Sequence, residues 1–314
     1  MVSGEAQGKW DFHEVTSMLN GSRILYNEPM SLHTSFRIGG PCDLLVLPSG
    51  EDDVVAAWVK CKELSIPCYI IGNGTNLLVK DGGVRGCVVK LAPGFAGVTR
   101  TDDVTLHVKA GTLLPRLVEA ALEEGLSGLE WAVGIPGSVG GAITMNAGAY
   151  GGDIASLVKR VEVAFSDGST RWLPVEELAF SYRHSLFIER DDLLILSAEL
   201  RLVPGDRANI KSVMDTRSAE REAKQPLDLP SAGSAFRRPP GYYVGSMIQE
   251  LGLKGFKVGA AQISPKHAGF IVNTGGATAS QVLSLMKMIQ EKVKAAYGVD
   301  LEPEIVVIGE DPCE

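Results

Sequence analysis

The sequence predicts an α+β fold assembled from several compact units, and three observations lead there. Short apolar runs of strand length alternate with amphipathic stretches of helix length, and two glycine clusters, at 72–74 and 134–152, interrupt them. The 314 residues suffice for two or three domains with a sizeable core. Hydrophobic residues at 45% and charged residues at 22% are ordinary for a soluble globular chain. With 30 Lys and Arg against 38 Asp and Glu, the net charge of −8 argues against a general nucleic-acid or membrane-surface binder, which needs a basic face. A local basic pocket for an acidic small molecule stays compatible with that charge.

Cys42, Cys61, Cys68, Cys87 and Cys313 form an odd set without a Cys-x-x-Cys pair, so neither a disulfide framework nor a metal site is expected. No apolar run approaches the ~18 residues of a membrane-spanning helix. Glu5, Asp11 and Glu14 stand where a secretory signal needs an apolar stretch, so a cytoplasmic protein is expected. Residues 1–31 are read as a modest helical extension packed on the outside.

The elements follow in order. From Ser49 to Leu64, the residues Val54, Val55, Trp58, Cys61 and Leu64 fall at helical spacing, with Ser49 and Asp52 as a start signal. Strands at 43–47, 68–71 and 87–91 surround this helix and make a βαβ unit with a small parallel sheet. Val104, Leu106 and Val108 alternate with polar residues as a strand, and 113–124 reads as a helix closed by Gly125. Val161, Val163 and Phe165 lead into Asp167-Gly168, a hairpin turn, with 171–173 returning. A strand at 193–203 ends at Pro204-Gly205, and a charged helix at 208–224 precedes a loop at 226–230. The last helix opens on a capping box, Thr278 with Gln281. It carries Val282, Leu285, Met286, Ile289 and Val293 on one face and stops at Gly298.

The two glycine clusters are the candidate binding elements. Residues 134–152 hold seven glycines and almost no charge. Ile135, Val139, Ile143 and Met145 make the segment too apolar for a surface linker, and each interior glycine makes a helix costlier by about 1 kcal/mol relative to Ala. A tightly turned, buried backbone is expected, whose N–H groups suit an anion such as a phosphate. Tight turns packed between strands without any ligand are the plainer alternative. The apolar run Tyr69-Ile70-Ile71 feeds Gly72-Asn73-Gly74-Thr75-Asn76, which can offer backbone N–H groups, a hydroxyl and two amides. Leu77 stands where the dinucleotide fingerprint of the doubly wound fold needs a third glycine, and Asp81-Gly82-Gly83 leaves no room for its helix. The Gly-Lys-Ser/Thr ending of a P-loop is also missing.

These clusters combine with Thr34-Ser35-Phe36-Arg37-Ile38-Gly39-Gly40-Pro41, Phe180-Ser181-Tyr182-Arg183-His184-Ser185, Ala232-Gly233-Ser234-Ala235-Phe236 and Leu301-Glu302-Pro303-Glu304. In that set and order the chain resembles the flavoproteins of the vanillyl-alcohol-oxidase type FAD-binding fold. Within them it is similar to the UDP-N-acetylenolpyruvylglucosamine reductases of bacterial cell-wall synthesis, from residue 34 to residue 308. The resemblance implies a two-part FAD-binding fold with a C-terminal α+β substrate domain. Its subdomains would span 32–97 and 98–205, with the substrate domain at 206–314 and a final strand, 304–308, able to return to the FAD-binding part.

It further implies non-covalent FAD held by Arg37, Gly72, Asn73, Gly74, Thr75, Asn76, Leu77, Gly134, Ile135, Pro136, Gly137, Ser138, Gly140, Gly141, Met145, Asn146, Ala147 and Gly148. Gly74 and Gly140 would let the backbone approach the pyrophosphate. NADPH is the implied co-substrate and a UDP-sugar enolpyruvyl ether the implied substrate, with no metal, nucleic acid or membrane and a monomeric chain. Arg183, Ser234 and Glu304 take the catalytic places, and Tyr182, Lys224, Arg238 and His267 the substrate-binding ones. Arg238 departs from a position that is often asparagine in the family.

From the residues alone, Ser234 is as well read as a serine satisfying its own turn, and it lacks the Gly-x-Ser-x-Gly elbow of a hydrolase. Arg183 is able to hold a carboxylate by two parallel N–H bonds or to make a plain surface ion pair. Glu304 enters an apolar run, and alternation would put it on the face of Val306 and Ile308, with Glu302 on the other. His13, His33 and His107 lie in no cluster and read as structural. From Arg183 to Ser234 the chain advances 51 positions, shorter than in relatives with an extra segment whose tyrosine closes over the substrate. Two rivals remain: an oxidase of the same fold, whose relatives often tether flavin through His or Cys, and a sugar-nucleotide binding protein without turnover.

Overall fold

The computed structural model describes residues 10–92 and 94–312, so residues 1–9 of the expected N-terminal helix, and Cys313, lie outside the described residues. Of residues 10–31, only His13–Thr16 is α-helical; Arg23–Pro29 is a strand. The helical expectation for this stretch is corrected, since Ile24 and Tyr26 serve an extended backbone that takes a place in a sheet.

Backbone contacts divide the chain into two interleaved units rather than consecutive pieces. One comprises 1–26, 44–73 and 86–220, and the other 27–43, 74–85 and 221–314. The stretch expected as a single subdomain, 32–97, is thus shared by both, and the break between the units at 220/221 falls inside the helix Arg207–Lys224 rather than near 205. Each unit has its own apolar core.

In the first unit, Cys68–Ile71 pairs in parallel with Val84–Lys90, Cys68 opposite Cys87, as the βαβ reading requires. The sheet runs in the order Arg23–Pro29, Pro41–Leu47, Val84–Lys90, Cys68–Ile71. The intervening helix, Glu51–Glu63, buries Val54, Ala57, Trp58 and Cys61. Its N-cap is Gly50, without a side-chain cap; Ser49 bonds the Asp53 carboxylate at 2.7 Å instead. A five-stranded antiparallel sheet follows, ordered Thr170–Pro174, Val158–Phe165, Leu193–Arg201, Thr105–Lys109, Val98–Arg100. The hairpin turn is where Asp167-Gly168 places it, with Gly168 at φ +81°. The helix Leu114–Glu123 ends before Gly125, whose φ of +66° only glycine adopts cheaply.

One expectation for the glycine cluster fails. Val139–Thr144 is a short α-helix in spite of Gly140 and Gly141. Tertiary contacts override the propensity: Val139 N–H donates to Thr112 O and Gly140 N–H to Ala110 O, both at 2.8 Å, and Val139 and Ile143 are fully buried.

The second unit centres on the antiparallel strands Ser231–Ser234, Phe270–Asn273, Ala261–Ile263 and Lys257–Val258, in that order. The helix Ala279–Tyr297 packs its Val282, Leu285, Met286, Ile289 and Val293 face inward. Its capping box is complete, Gly298 stops it in the left-handed region, and Asp81 accepts from the N–H groups of Ala279 and Ser280. The final strand, Val306–Ile308, pairs in parallel with Leu77–Val79.

Candidate active site

Within the first unit the two glycine clusters meet. Gly72 lies against Ser138, where an added Cβ would sit 1.9 Å from Ser138 Oγ, and the Asn73 amide donates to Pro136 O at 2.8 Å. Ser138 caps the Val139–Thr144 helix through Gly141 N–H. The loop bearing Tyr182 and Arg183 closes on the same cluster. The Asn146 amide donates to Ser181 O at 2.9 Å, Ser185 Oγ to Thr144 O at 2.7 Å, and Arg183 to Gly148 O at 3.3 Å. Gly134, Pro136 and Gly141 are exposed along this wall, Ile135, Gly137, Met145, Ala147 and Gly148 are half-buried, and Ser138, Gly140 and Asn146 are buried.

In the second unit, Ser234 ends its strand half-buried, after Gly233 at φ +79° and a register irregularity that breaks the pairing. Glu304 is drawn beside it by its backbone, with Glu304 N–H donating to Ala235 O at 3.0 Å. The Asn76 amide donates to Glu304 O at 3.0 Å, which brings the Gly74-Thr75-Asn76-Leu77 loop to the same place. Ser35 N–H bonds Gly74 O at 3.1 Å and its Oγ bonds Ser231 O at 2.6 Å, so the segment with exposed Arg37 joins as well.

Lys266 Nζ donates to Glu222 O at 2.5 Å, tying the His267 turn to the helix end that carries exposed Lys224. Burial, together with the charge of Lys254, holds the His267 ring below the usual histidine range, so at neutral pH it is uncharged, with Nδ1 accepting from Gly269 N–H at 3.1 Å. Arg238 stacks 3.8 Å from the Tyr243 ring centre and donates to Tyr242 O at 3.1 Å.

Packing within the protein also bears on several of these positions. Gly74 and Gly140 are explained by protein packing: a Cβ on Gly74 would lie 2.3 Å from His33 O at a φ of +66°, and one on Gly140 would lie 3.1 Å from Ala110 Cβ. The Asn73 and Asn76 amides hold the framework, and Asn146 is engaged at both ends, since its Oδ1 also accepts from Ala155 N–H. The face argument for Glu304 is corrected too. Glu304 precedes the strand, Val306 is 40% exposed, and Ile305 is the buried residue at 3%. Glu302 is exposed and faces Arg237 at 3.5 Å.

What suits a phosphate is the loop's backbone. Gly74 is buried, and neither its N–H nor that of Thr75 donates to any group among the described residues. A buried amide without a partner is rare, and an anionic oxygen would satisfy it. In the other unit, Gly137 and Asn73 N–H groups likewise donate to none of the described residues. Strain marks the same places. Arg37, Asn146, Tyr150 and Arg183 have φ of +54°, +41°, +52° and +55°, in the left-handed region, which side chains occupy only when their surroundings compel it. The sequence does not show this signal. A groove of about 540 Å³ lined by Arg100, Leu106, Arg116 and Glu124 contains none of the candidate residues.

A reductase of this name from Syntrophomonas wolfei, UDP-N-acetylenolpyruvoylglucosamine reductase, is 45% identical over 96% of this chain and 100% of its own length. The chain belongs to the UDP-N-acetylenolpyruvoylglucosamine reductase family. Its relative from Caldanaerobacter subterraneus is 44% identical over 95% of this chain and 97% of the other. The crystal structure of the reductase from Thermus caldophilus superposes with a TM-score of 0.77 at 36% identity, covering 92% of this chain and 99% of that one.

Residues 42–174 match an FAD-binding domain, and residues 225–308 match the C-terminal domain of the reductase family. The chain therefore shares the fold of that reductase, includes an FAD-binding domain, and is an FAD-dependent oxidoreductase. Ser234, Arg238, His267 and Glu304 fall inside the reductase match; Arg37, Arg183 and Lys224 lie outside both matched ranges.

The sequence spacing also missed a cluster remote in purpose from these loops. Cys61, Cys68 and Cys87 come together in the first unit, although no Cys-x-x-Cys pair announces them.

Proposed function

We propose that this chain reduces UDP-N-acetylglucosamine enolpyruvate to UDP-N-acetylmuramate, using FAD and NADPH, in the synthesis of peptidoglycan precursors. The observation that carries this reading is the match to the reductases over 92–96% of this chain and 99–100% of theirs. The loops at 72–77 and 134–148 would hold FAD through backbone N–H groups at Asn73, Gly74, Thr75 and Gly137, with the Ser138 and Thr75 hydroxyls nearby in sequence. They contain neither His nor Cys, so nothing in them tethers the flavin covalently. Bound FAD supplies hydride transfer from NADPH to the substrate's vinyl ether.

The residues of this chain then have three tasks. Hydride arrival at the β-carbon leaves negative charge that spreads into the carboxylate as an enolate. Arg183, held by Gly148 O and lying 5.2 Å from the Tyr182 ring centre, would stabilise that charge. Ser234 would deliver the proton to the α-carbon, with Glu304, anchored at Ala235 and Asn76, organising the acid. Lys224 and Arg238 would meet the diphosphate, and His267, uncharged, would contribute as a neutral ring. For Arg238 that means leaving its Tyr243 stack.

The described helices include none long and apolar enough to cross a membrane. A visible spectrum before and after acid precipitation tests the reading. Flavin released to the supernatant supports the reductase, a yellow pellet indicates a tethered oxidase, and a colourless protein that cannot be loaded with FAD contradicts both.

A further inference from the structure

We infer that Cys61, Cys68 and Cys87 form a three-sulfur site for a soft, thiophilic metal ion of the copper(I) class. Cys61 sits in the last turns of Glu51–Glu63, Cys68 opens its strand, and Cys87 is the residue paired with Cys68 across the parallel ladder. The fold itself makes this triangle. Ile66 N–H donates to Cys61 O at 2.8 Å and Cys87 N–H to Pro67 O at 2.8 Å, so the turn between helix and strand is pinned to both neighbours.

All three sulfurs lie within 4.8 Å of one another. A point between them is then no more than about 2.8 Å from each, and metal–thiolate bonds are ~2.3 Å, so the sulfurs need to move inward by about half an ångström. No fourth His, Cys, Asp or Glu ligand atom joins them among the described residues. That count decides the class of ion. Structural zinc takes four protein ligands, whereas soft thiolates select copper(I), which needs no fourth.

The surroundings agree. Cys61 and Cys87 are buried in the apolar core, and Cys68 is half-buried and packed against it. Each sulfur that binds the ion releases its proton to solvent, with no change of oxidation state. The ion would clamp the end of the helix to the strand that leads directly into Gly72.

The test titrates reduced holoprotein, in a Cys313→Ser background, with copper(I) presented as its bicinchoninate complex. One ion per chain is expected, with X-ray absorption showing three sulfur neighbours and the thermal midpoint rising with the first equivalent. Cys68→Ser, at a half-buried position that should fold, and Cys87→Ser are expected to bind at least tenfold more weakly and to lose the thermal shift. Cys42→Ser, at an isolated thiol, should bind as the parent does. Uptake that survives Cys68→Ser overturns the inference. So does a protein that takes up no copper(I) while fully reduced, whether or not mild oxidant joins Cys61 to Cys68.

Discussion

Gly72→Ala adds a methyl carbon whose ideal position is 1.9 Å from Ser138 Oγ and 2.9 Å from Ser138 Cβ. Gly72 has no positive φ, so the cost is this collision alone. The hydroxyl must rotate away, and with it goes the cap that Ser138 offers to Gly141 N–H. Losing an N-cap costs about 0.5–2 kcal/mol, and the 3.4 Å length of this bond puts it at the lower end. Overpacking adds about 1–3 kcal/mol, because the Ser138 Cβ cannot rotate away as its oxygen can. Gly72→Ala should therefore destabilise the apoprotein by roughly 1.5–4 kcal/mol in urea unfolding and weaken FAD binding, read by quenching of flavin fluorescence.

Ser138→Gly removes both colliding atoms and should rescue the double variant, with a coupling of about 1–3 kcal/mol, as expected for residues in contact. A Gly72→Ala protein of unchanged stability, or a double variant no more stable than Gly72→Ala alone, would refute the proposed contact between the two loops.

Ser234→Ala should accept hydride from NADPH at the parent rate while substrate-dependent reoxidation slows by about 10²–10⁴-fold, the range of a positioned general acid. Stopped-flow absorbance resolves the two phases, and Glu302→Ala should alter neither. Lys224→Ala should raise KM for the UDP-sugar by roughly tenfold or more, corresponding to about 1.5–3 kcal/mol for one charge-assisted contact, with reduction by NADPH unchanged. Burial pushes the Asp53 carboxyl up, but bonds from Ser22, Ser49 and Asn20 N–H outweigh it and leave the group below its ordinary range. Its contribution is therefore full above the unfolded value of about 3.9 and is lost as pH falls through the folded one. Asp53→Asn should lower stability at pH 7, and its difference from the parent should shrink progressively below about pH 4.

The local signals in the sequence were enough for elements whose causes are local. The capping box at Thr278 and Gln281, the Asp167-Gly168 turn and the stop at Gly298 each depend on neighbours within a few residues. Non-local causes were hidden. Gly140 enters a helix because Ala110, thirty positions earlier, holds its N–H, and the Arg23–Pro29 strand exists because a sheet receives it. The interleaving of the two units has the same origin, since strands such as Leu77–Val79 find partners more than two hundred residues away.

At the candidate site, residue chemistry pointed to both glycine loops, whereas Ser234 and Glu304 came from the family resemblance; the backbone at Ala235 brings those two together. Composition could not tell that Gly74 packs against His33 and Gly140 against Ala110. Nor could cysteine spacing show three thiols drawn together by a helix turn and a parallel ladder.

The most direct test is an anaerobic single turnover. The holoprotein is reduced with one equivalent of NADPH, the enolpyruvyl ether of UDP-N-acetylglucosamine is added, and flavin absorbance is followed while the product is identified by mass and NMR. The account predicts bleaching by NADPH, recovery of the oxidised spectrum on addition of the ether, and one equivalent of UDP-N-acetylmuramate. A flavin that stays reduced with the ether present, and recovers only when oxygen is admitted, would contradict it.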